Sequence, residues 1–178
     1  MRVIAGKYRN RNLKTSNNFR PTTDRVRETL FNILQSEIEN SVFVDAFAGS
    51  GSVGIEALSR GAGIAYFIEN NRKVLGVLES NLTQLGEANW RIYSVPALKG
   101  LEVVAQNGAA ADLIFFDPPY DSDQYAELVD TAAKLFPNAT VIVECSTRSK
   151  WKAPDSVTLK KSREIGETVL QFYGKSLP

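Results

Sequence analysis

The feature that most constrains the fold is a regular alternation of short apolar runs with helix-length stretches through the middle of the chain. Apolar strands are predicted at 42–46, 64–69, 90–94, 112–117 and 139–145. Helices are predicted at 23–38, 52–60, 71–85, 97–106 and 123–135, and Thr22 or Thr23 is available as the first N-cap. Continuously apolar strands separated by helices are typical of a parallel sheet covered on both faces, which is a doubly wound α/β fold.

Both ends of the chain depart from this alternation. Residues 2–14 combine short β-prone pieces with polar turn residues, which predicts a small N-terminal β-hairpin. Residues 157–163 and 168–173 are β-prone runs joined through Gly166, which predicts a C-terminal antiparallel hairpin. We therefore expect one domain over residues 1–178, with a mostly parallel seven-stranded sheet and a basic N-terminal extension over residues 1–21.

The composition excludes several kinds of site. The 178 residues include no histidine and a single cysteine, Cys145. Catalysis by an imidazole and metal sites ligated by histidine are therefore excluded. A lone cysteine cannot form an intramolecular disulfide, which fits a reducing compartment. Because no apolar run is long enough for a membrane helix or a signal peptide, we expect a cytoplasmic protein that uses neither a membrane nor a metal.

The net charge of +1 hides an uneven distribution along the chain. Lys and Arg exceed Asp and Glu by 7 in residues 1–27 and by 4 in residues 148–178, whereas residues 28–147 carry a net charge of −10. Clustered positive charge at the ends of an acidic body indicates a polyanionic partner, since phosphates are bound by clustered Lys and Arg. A solvated basic arm is the alternative interpretation.

A glycine-rich loop follows the first core strand and opens a helix. Gly49, Gly51 and Gly54 satisfy the pattern G-x-G-x-x-G, which lets the backbone approach a ligand closely at a helix N-terminus. Glu69 ends the next strand, 20 residues after Gly49, where a carboxylate can accept hydrogen bonds from both ribose hydroxyls. These features together predict an adenosine-containing cofactor, and a tight turn without a ligand is the alternative.

The position of Asp45 at the end of the first strand distinguishes between two such cofactors. A carboxylate aimed at the loop would repel the pyrophosphate of NAD. It suits the cationic, amino-acid end of S-adenosylmethionine, either directly or through water. S-adenosylmethionine is therefore favoured. Capping of the glycine loop by Asp45 is an alternative role that is compatible with cofactor binding.

The apolar run 113–116 ends in the motif Asp117-Pro118-Pro119-Tyr120, at the edge where open parallel sheets bind ligands. Two successive prolines fix the backbone and remove N–H donors. The Asp117 carboxylate and the Pro118 carbonyl can each accept one N–H of an exocyclic amine on a nucleobase, while Tyr120 stacks on the base. This arrangement directs the lone pair of the amine at an electrophilic methyl group. Simple termination of the strand, with Tyr120 in the core, is the alternative.

These residues resemble the class I S-adenosylmethionine-dependent methyltransferases that modify amino groups, which are marked by a (D/N)-P-P-(Y/F) corner. Four further segments resemble the bacterial 16S ribosomal RNA (guanine(966)-N(2))-methyltransferase family: residues 4–8, 20–28, 47–51 and 56–62. The resemblance extends across nearly the whole chain. This combination is more specific than the corner alone, which adenine-N6, cytosine-N4 and glutamine methyltransferases share.

The resemblance implies a Rossmann-like enzyme that methylates the exocyclic N2 amine of a guanine in 16S rRNA. Its substrate would be the small ribosomal subunit or an assembly intermediate, and we expect it to act as a monomer. The implied cofactor-binding residues are Asp45, Phe47, Ala48, Gly49, Ser50, Gly51, Glu69, Asn70, Pro96 and Ala97. The implied guanine-binding residues are Asp117, Pro118, Pro119 and Tyr120. The RNA phosphates would be bound by Lys7, Arg9, Arg11, Arg20, Arg25 and Arg27.

Three positions depart from the family pattern. Asn10 stands where glycine is expected, which is a modest change because asparagine tolerates a positive φ. Pro96 stands near the place where an aspartate usually contacts the adenine amine, so Ser94 or backbone groups of residues 95–97 would have to make that contact. Ile165 stands where an aromatic residue is expected, with no obvious functional consequence.

Three other functions would use parts of the same pattern. A DNA adenine-N6 methyltransferase would share the chemistry, but such enzymes generally carry a separate target-recognition region, for which 178 residues leave little room. A nicotinamide-dependent oxidoreductase would use the glycine loop and leave residues 117–120 without a role. An RNA-binding module without catalysis would need the basic arm but not the corner.

Overall fold

The structure, a computed structural model, describes residues 1–15, 22–86, 89–119 and 124–175. Within these ranges the helices are α1 (Asp24–Ile33), α2 (Ser52–Ser59), α3 (Arg72–Thr83), α4 (Ala97–Gln106) and α5 (Tyr125–Leu135). The strands are β1 (Val42–Asp45), β2 (Ile64–Ile68), β3 (Trp90–Tyr93), β4 (Leu113–Phe116), β5 (Thr140–Ser146), β6 (Val157–Ile165) and β7 (Thr168–Lys175).

The strands form one sheet in the order β3-β2-β1-β4-β5-β7-β6. Strands β1 to β5 are parallel to one another, whereas β7 runs antiparallel to both β5 and β6. The chain moves outward from β1 to β3 and then crosses back to place β4 on the other side of β1. Such a switch point is where open α/β sheets bind ligands, so the loops after β1, β2 and β4 surround a site at the carboxyl edge.

The two faces of the central strands bury separate sets of apolar side chains. Phe43 and Phe115 lie on one face and pack in a cluster with apolar residues of α1 and α2. Val44 and Ile114 point to the opposite face, where they pack with residues of α4 and α5. Because successive side chains of a strand alternate between faces, continuously apolar strands can bury both faces. The predicted doubly wound, mostly parallel sheet is therefore observed.

The elements agree with the prediction except near their ends. Helix α4 has the predicted bounds, 97–106. Thr23 is the N-cap of α1, and its side chain accepts a hydrogen bond from the Val26 amide. Helix α1 was predicted to extend to residue 38, which is wrong, because it ends at Ile33. Leu34 leaves the helical conformation and accepts the Ile38 amide in a turn that leads the chain toward β1.

The N-terminal segment folds back on itself as a small hairpin, as predicted. Arg2 and Asn12 form an antiparallel β-bridge, flanked by hydrogen bonds from the Val3 amide to the Arg11 carbonyl at 3.0 Å and from the Leu13 amide to the Met1 carbonyl at 2.8 Å. Asn10 has a φ of 68°, in agreement with the expectation that asparagine replaces glycine in a left-handed conformation. Gly6 has a φ of 81°, and a Cβ atom there would lie 1.8 Å from the Ser59 carbonyl oxygen. The loop is therefore fitted closely against the end of α2.

The C-terminal hairpin is present and longer than predicted. Strands β6 and β7 pair antiparallel, with an irregularity between Leu159 and Lys161, and Gly166 adopts a φ of 62° at the turn. Residues 158–164 of β6 are all exposed along the edge of the sheet. Across the described ranges, no helix combines the length and apolar character needed to cross a membrane, and no cluster of three metal-ligating side chains occurs.

Candidate active site at the carboxyl edge of the sheet

Each glycine of the loop between β1 and α2 meets a different requirement. Gly49 and Gly51 have φ angles of 53° and 85°, a region that disfavours other residues. A Cβ atom at Gly54 would lie 2.3 Å from the Phe67 ring, so the third glycine allows α2 to pack closely on β2. A Cβ atom at Gly49 would meet no described atom within 4 Å, so open space adjoins this part of the loop.

Glu69 is joined directly to the glycine loop. Its Oε2 accepts a hydrogen bond from the Gly49 amide at 2.9 Å, and its Oε1 accepts one from the Asn71 amide at 2.8 Å. The side chain is half-buried. Two backbone donors thus hold the carboxylate in one orientation, and each of its oxygens keeps a further lone pair for a ligand hydroxyl. The predicted proximity of Glu69 and Gly49 is confirmed, whereas ribose binding stays a prediction.

Asp45 caps the glycine loop at the start of α2. Its Oδ2 accepts a hydrogen bond from the Gly54 amide at 3.0 Å, and the side chain is almost completely buried. Burial raises the pKa of Asp45 to about 7, and the negative charges of Asp117 and Glu69 contribute to the increase. The contact observed is the loop-capping role that the sequence left as an alternative. A nearby positive charge would favour the ionised form of this carboxyl.

The other predicted cofactor residues surround the same edge. Ala48 is buried, and its amide donates to the Ile68 carbonyl at the end of β2. Phe47 is half-buried and makes an edge-to-face contact with Phe116, with 6.4 Å between ring centroids. Asn70 is exposed beside the start of α3. These positions bring side chains from the ends of β1, β2 and β4 to one edge.

Pro96 and Ala97 form the beginning of α4, after β3. Pro96 is exposed and serves as the N-cap, and its carbonyl accepts the Gly100 amide at 2.9 Å. A proline offers no side-chain hydrogen bond, so a ligand here would meet the first free amides of the helix. The backbone contact to the adenine that the sequence suggests at this position is therefore possible in the structure.

Asn81 was not among the predicted site residues, although it supports the loop. It is fully buried on α3 and donates from Nδ2 to the carbonyl oxygens of Ser50 and Lys14, each at 2.9 Å. Its Oδ1 accepts the Lys14 amide at 2.8 Å. One amide side chain thus ties the glycine loop to the N-terminal segment. The only sequence signal was an asparagine on the apolar face of a helix.

Asp117 lies at the end of β4, beside the segment that precedes α1. Thr22 Oγ1 donates a hydrogen bond to Asp117 Oδ2 at 3.2 Å. Burial raises the pKa of Asp117 to about 6, and the bond from Thr22 opposes this increase. The carboxyl is therefore mostly ionised at neutral pH and is more basic than an exposed aspartate. Pro118 is buried and Pro119 exposed, whereas Tyr120 lies outside the described residues.

Glu144 on β5 is a second carboxyl near Asp117 that the sequence analysis missed. It has 4% exposure, and its Oε2 has no hydrogen-bond partner among the described residues. Burial and the charge of Asp117 raise the pKa of Glu144 to about 9, against a smaller opposing contribution from Thr22. A glutamate within the apolar run 141–145 was the signal that could have revealed it.

Four of the predicted RNA-binding residues are exposed: Lys7, Arg9, Arg11 and Arg25. Arg11 donates from Nη1 to the Gln84 carbonyl at 2.7 Å, and its guanidinium lies 5.1 Å from the centroid of the Tyr8 ring. Lys7 Nζ lies 5.0 Å from the same ring. Arg20 lies outside the described residues. The exposed cations thus belong to the N-terminal loop and the first turns of α1.

The prediction that Arg27 binds RNA phosphates is wrong, because its side chain is completely buried. Arg27 Nη2 donates to the Arg2 carbonyl at 2.9 Å and to Asp24 Oδ1 at 2.6 Å. The residue shares the buried face of α1 with Phe31, one turn later. Its positive charge is therefore used inside the protein.

Arg27 belongs to a buried ionic cluster centred on Glu56 of α2. The Glu56 carboxylate accepts the Ile4 and Ala5 amides at 2.8 and 3.0 Å and Arg60 Nε at 2.7 Å. Arg27 Nη1 lies 3.9 Å from Glu56 Oε2. These contacts satisfy the Ile4 and Ala5 amides of the N-terminal segment. The cluster fixes the N-terminal loop on the helix that begins at the glycine loop.

Comparison with known proteins identifies the family of this chain. Residues 1–174 match the family described as "Conserved hypothetical protein 95". The chain is 36% identical to "Ribosomal RNA small subunit methyltransferase D" of Escherichia coli (strain K12), over 97% of this chain and 89% of that protein. It is 37% identical to the Haemophilus influenzae protein of the same name, over 97% of this chain and 93% of that protein. The chain belongs to this family.

The structure is also similar to solved structures. The structure named "Putative methyltransferase yhhF from Escherichia coli" superposes with a TM-score of 0.86 at 35% identity, over 98% of this chain and 97% of that chain. The family and the class I methyltransferase fold expected from the sequence segments are therefore confirmed.

Proposed function

We propose that this protein transfers a methyl group from S-adenosylmethionine to the exocyclic N2 amine of a guanine in 16S rRNA, within the small ribosomal subunit or its assembly intermediate. One observation carries the proposal: the Asp117 corner lies at the same sheet edge as the glycine loop and Glu69. The names of the relatives support the substrate. We propose that the enzyme acts as a monomer in the cytoplasm, where these particles are assembled.

The residues present fit S-adenosylmethionine. Asp45 and Glu69 concentrate negative charge beside the glycine loop, and neither forms an ion pair with a described Lys or Arg. A cofactor with sulfonium and ammonium charges would compensate these carboxylates, whereas the pyrophosphate of NAD would be repelled. Open space beside Gly49 gives a ligand access to the loop amides. Glu69 would hold the ribose hydroxyls, and the amides of residues 97 and 98 would be available to the adenine.

The cofactor supplies an electrophilic methyl group, and the residues of this chain position the amine. Asp117, ionised at neutral pH, accepts one N2–H of the guanine, and the Pro118 carbonyl accepts the other. Both contacts localise the N2 lone pair toward the methyl group. Tyr120 supplies a stacking surface for the base. As the amine becomes positively charged, the Asp117 carboxylate stabilises it and receives the proton that it loses.

Exposed cations of the N-terminal loop and α1 bind the RNA backbone in this proposal. Residues 1–27 carry an excess of 7 positive charges, and the Glu56 cluster holds the loop on α2. A Lys7→Ala, Arg9→Ala, Arg25→Ala triple variant should flatten the slope of log affinity against log salt by somewhat less than one unit per lost phosphate contact. An unchanged slope would favour the alternative interpretation, in which these residues form a solvated basic arm that does not bind RNA.

Tritium transfer from labelled S-adenosylmethionine tests the function directly. The acceptors are undermethylated 30S subunits, free 16S rRNA and DNA, each followed by nucleoside analysis. We expect label in N2-methylguanosine from the subunits or the rRNA. Label in N6-methyladenosine from DNA would support the DNA methyltransferase instead, and transfer to none of the acceptors would refute the proposal.

The Asp117→Ala variant tests the corner within the same assay. Transfer should fall by about a hundredfold or more, which is about 3 kcal/mol of transition-state stabilisation, while cofactor affinity changes little. Asp155→Ala, at an exposed aspartate far along the chain, is the matched control. Tyr120→Phe should stay active, whereas Tyr120→Ala should lose most activity. Equal rates for Asp117→Ala and the parent protein would contradict the assignment.

A further inference from the structure

Glu144 and Asp117 are neighbours across a parallel strand pair. Phe116 of β4 and Val143 of β5 are register partners, and Asp117 and Glu144 are the next residues along the two strands. Both side chains lie on the face turned toward the segment before α1, because the Thr22 hydroxyl interacts with each of them. Two carboxyl groups from adjacent strands thus meet beneath the proposed guanine site.

Within the part of the chain that the structure describes, no Lys or Arg forms an ion pair with Glu144. Its register partner on β7 is the buried Leu170, and the groups that face it from the other elements are Asp117 and Thr22. Asp45, at the end of β1, interacts with Asp117 from the other side. Among the described residues, Oε2 of Glu144 has no partner although it is buried. Two ionised carboxylates cannot be accommodated together at such a place, so one of them keeps a proton.

We propose, on the basis of the proposed function, that Glu144 is a positioning residue that remains protonated beside an ionised Asp117, so that the pair carries a single negative charge. Glu144 is the more deeply buried partner and therefore the poorer site for that charge. Burial raises the pKa of both carboxyls, and the charge of Asp117 adds to the increase at Glu144.

A single charge matters because Asp117 must accept an N–H and later a proton. In the reaction the N2 lone pair forms the new N–C bond, the electron pair of the broken C–S bond stays on sulfur, and one N2 proton passes to Asp117. The pair is then neutral until Asp117 releases that proton to water. An ionised Glu144 would instead drive Asp117 to hold a proton beforehand, and the amine would lose its acceptor.

The proton on Glu144 can be detected without any activity. Glu144→Gln keeps the shape and neutrality of the protonated side chain, and Glu127→Gln, at an exposed position on α5, is the control. Unfolded Glu144 loses its proton near its ordinary pKa of 4.5, whereas the folded state retains it. Between about pH 5 and pH 9, the unfolding constant of wild type should therefore rise by up to about tenfold per pH unit more than that of Glu144→Gln. Equal slopes for the two proteins would overturn the proposal, and Glu127→Gln should match wild type.

The pH profile of single-turnover methyl transfer to 30S subunits tests the positioning role. Wild-type transfer should decline as the pH approaches about 9, because Glu144 ionises. Folded Glu144→Gln should keep the neutral-pH rate within about threefold and should lose this decline. The same decline in both proteins, or the loss of transfer at neutral pH in folded Glu144→Gln, would refute the role. Wild-type protein inactive on every acceptor would refute the proposed function instead, while the unfolding slopes would still report on the Glu144 proton.

Discussion

Replacing Arg27 with alanine is expected to destabilise the fold while leaving the exposed basic residues in place. The Arg27 side chain is completely buried and donates hydrogen bonds to the Ser52 and Arg2 carbonyl oxygens at 3.3 and 2.9 Å. It also lies 3.9 Å from Glu56, whose side chain has no exposed surface. Alanine would remove all of these donors from a region that water does not reach.

The expected loss follows from what each partner retains. Removing one member of a buried ion pair costs about 3–5 kcal/mol, and a buried carbonyl left without a donor costs about 1–3 kcal/mol. Glu56 keeps the Arg60 contact at 2.7 Å and two backbone donors, so its charge stays partly compensated. We therefore expect a decrease of about 3–4 kcal/mol in the free energy of unfolding, a large share of the ~5–15 kcal/mol of a typical domain.

Urea denaturation followed by circular dichroism measures this change. With a slope of about 2 kcal/mol per molar urea, the midpoint should fall by about 1.5–2 M. Arg25→Ala is the matched control, because Arg25 lies on the same helix but is exposed, and its midpoint should stay within about 0.3 M of wild type. A decrease below about 1 kcal/mol for Arg27→Ala, or an equal decrease for Arg25→Ala, would refute the assignment of Arg27 as an internal anchor.

Three further expectations concern the carboxyl edge. Glu69→Ala should weaken the binding of S-adenosylmethionine by about 1.5–3 kcal/mol per lost hydrogen bond, which calorimetric titration measures. If the wild-type protein bound NAD more tightly than S-adenosylmethionine, the cofactor assignment would be contradicted. Gly54→Ala should destabilise the protein by about 1–3 kcal/mol in thermal or urea unfolding, because its Cβ would lie 2.3 Å from Phe67. Gly76→Ala, in open space on α3, should instead stabilise it by up to about 1 kcal/mol, and a loss at Gly76 equal to that at Gly54 would contradict the packing argument. Asp45 has a pKa raised from 3.8 to about 7, so the folded state binds more protons than the unfolded state in that window and wild-type stability falls as the pH rises through it. Asp45→Asn should lose this contribution, up to about 1.4 kcal/mol per pH unit, and a slope as steep as that of wild type would show that Asp45 does not titrate in this way.

Local patterns were sufficient to predict most of the secondary structure. The period of apolar residues placed α4 at the observed bounds and located all seven strands, because each signal lies within about ten consecutive residues. The positive φ of Asn10 was also predicted locally, from its residue type alone. The glycine loop and Glu69 were also linked correctly, since a parallel β-α-β unit brings the ends of its two strands to the same edge.

The errors occurred where a residue's environment comes from distant segments. Arg27 was counted with the exposed cations because residue type records charge and not burial, whereas packing of α1 on α2 encloses it. The β-prone residues of the N-terminal segment gave no sign that Glu56, some 50 residues away, accepts the Ile4 and Ala5 amides. No local pattern could report these contacts.

The sequence by itself determined which residues are candidates for the chemistry, because the loop glycines, Glu69 and Asp117 stand in recognisable motifs. Only the tertiary structure decided the pKa of Asp117. Thr22 reaches it across 95 positions of the chain, and Glu144 reaches it through the pairing of β4 with β5. The physical reason is that the ionisation of a carboxyl group depends on its burial and on neighbouring charges, and both are set by elements that meet only in the folded sheet.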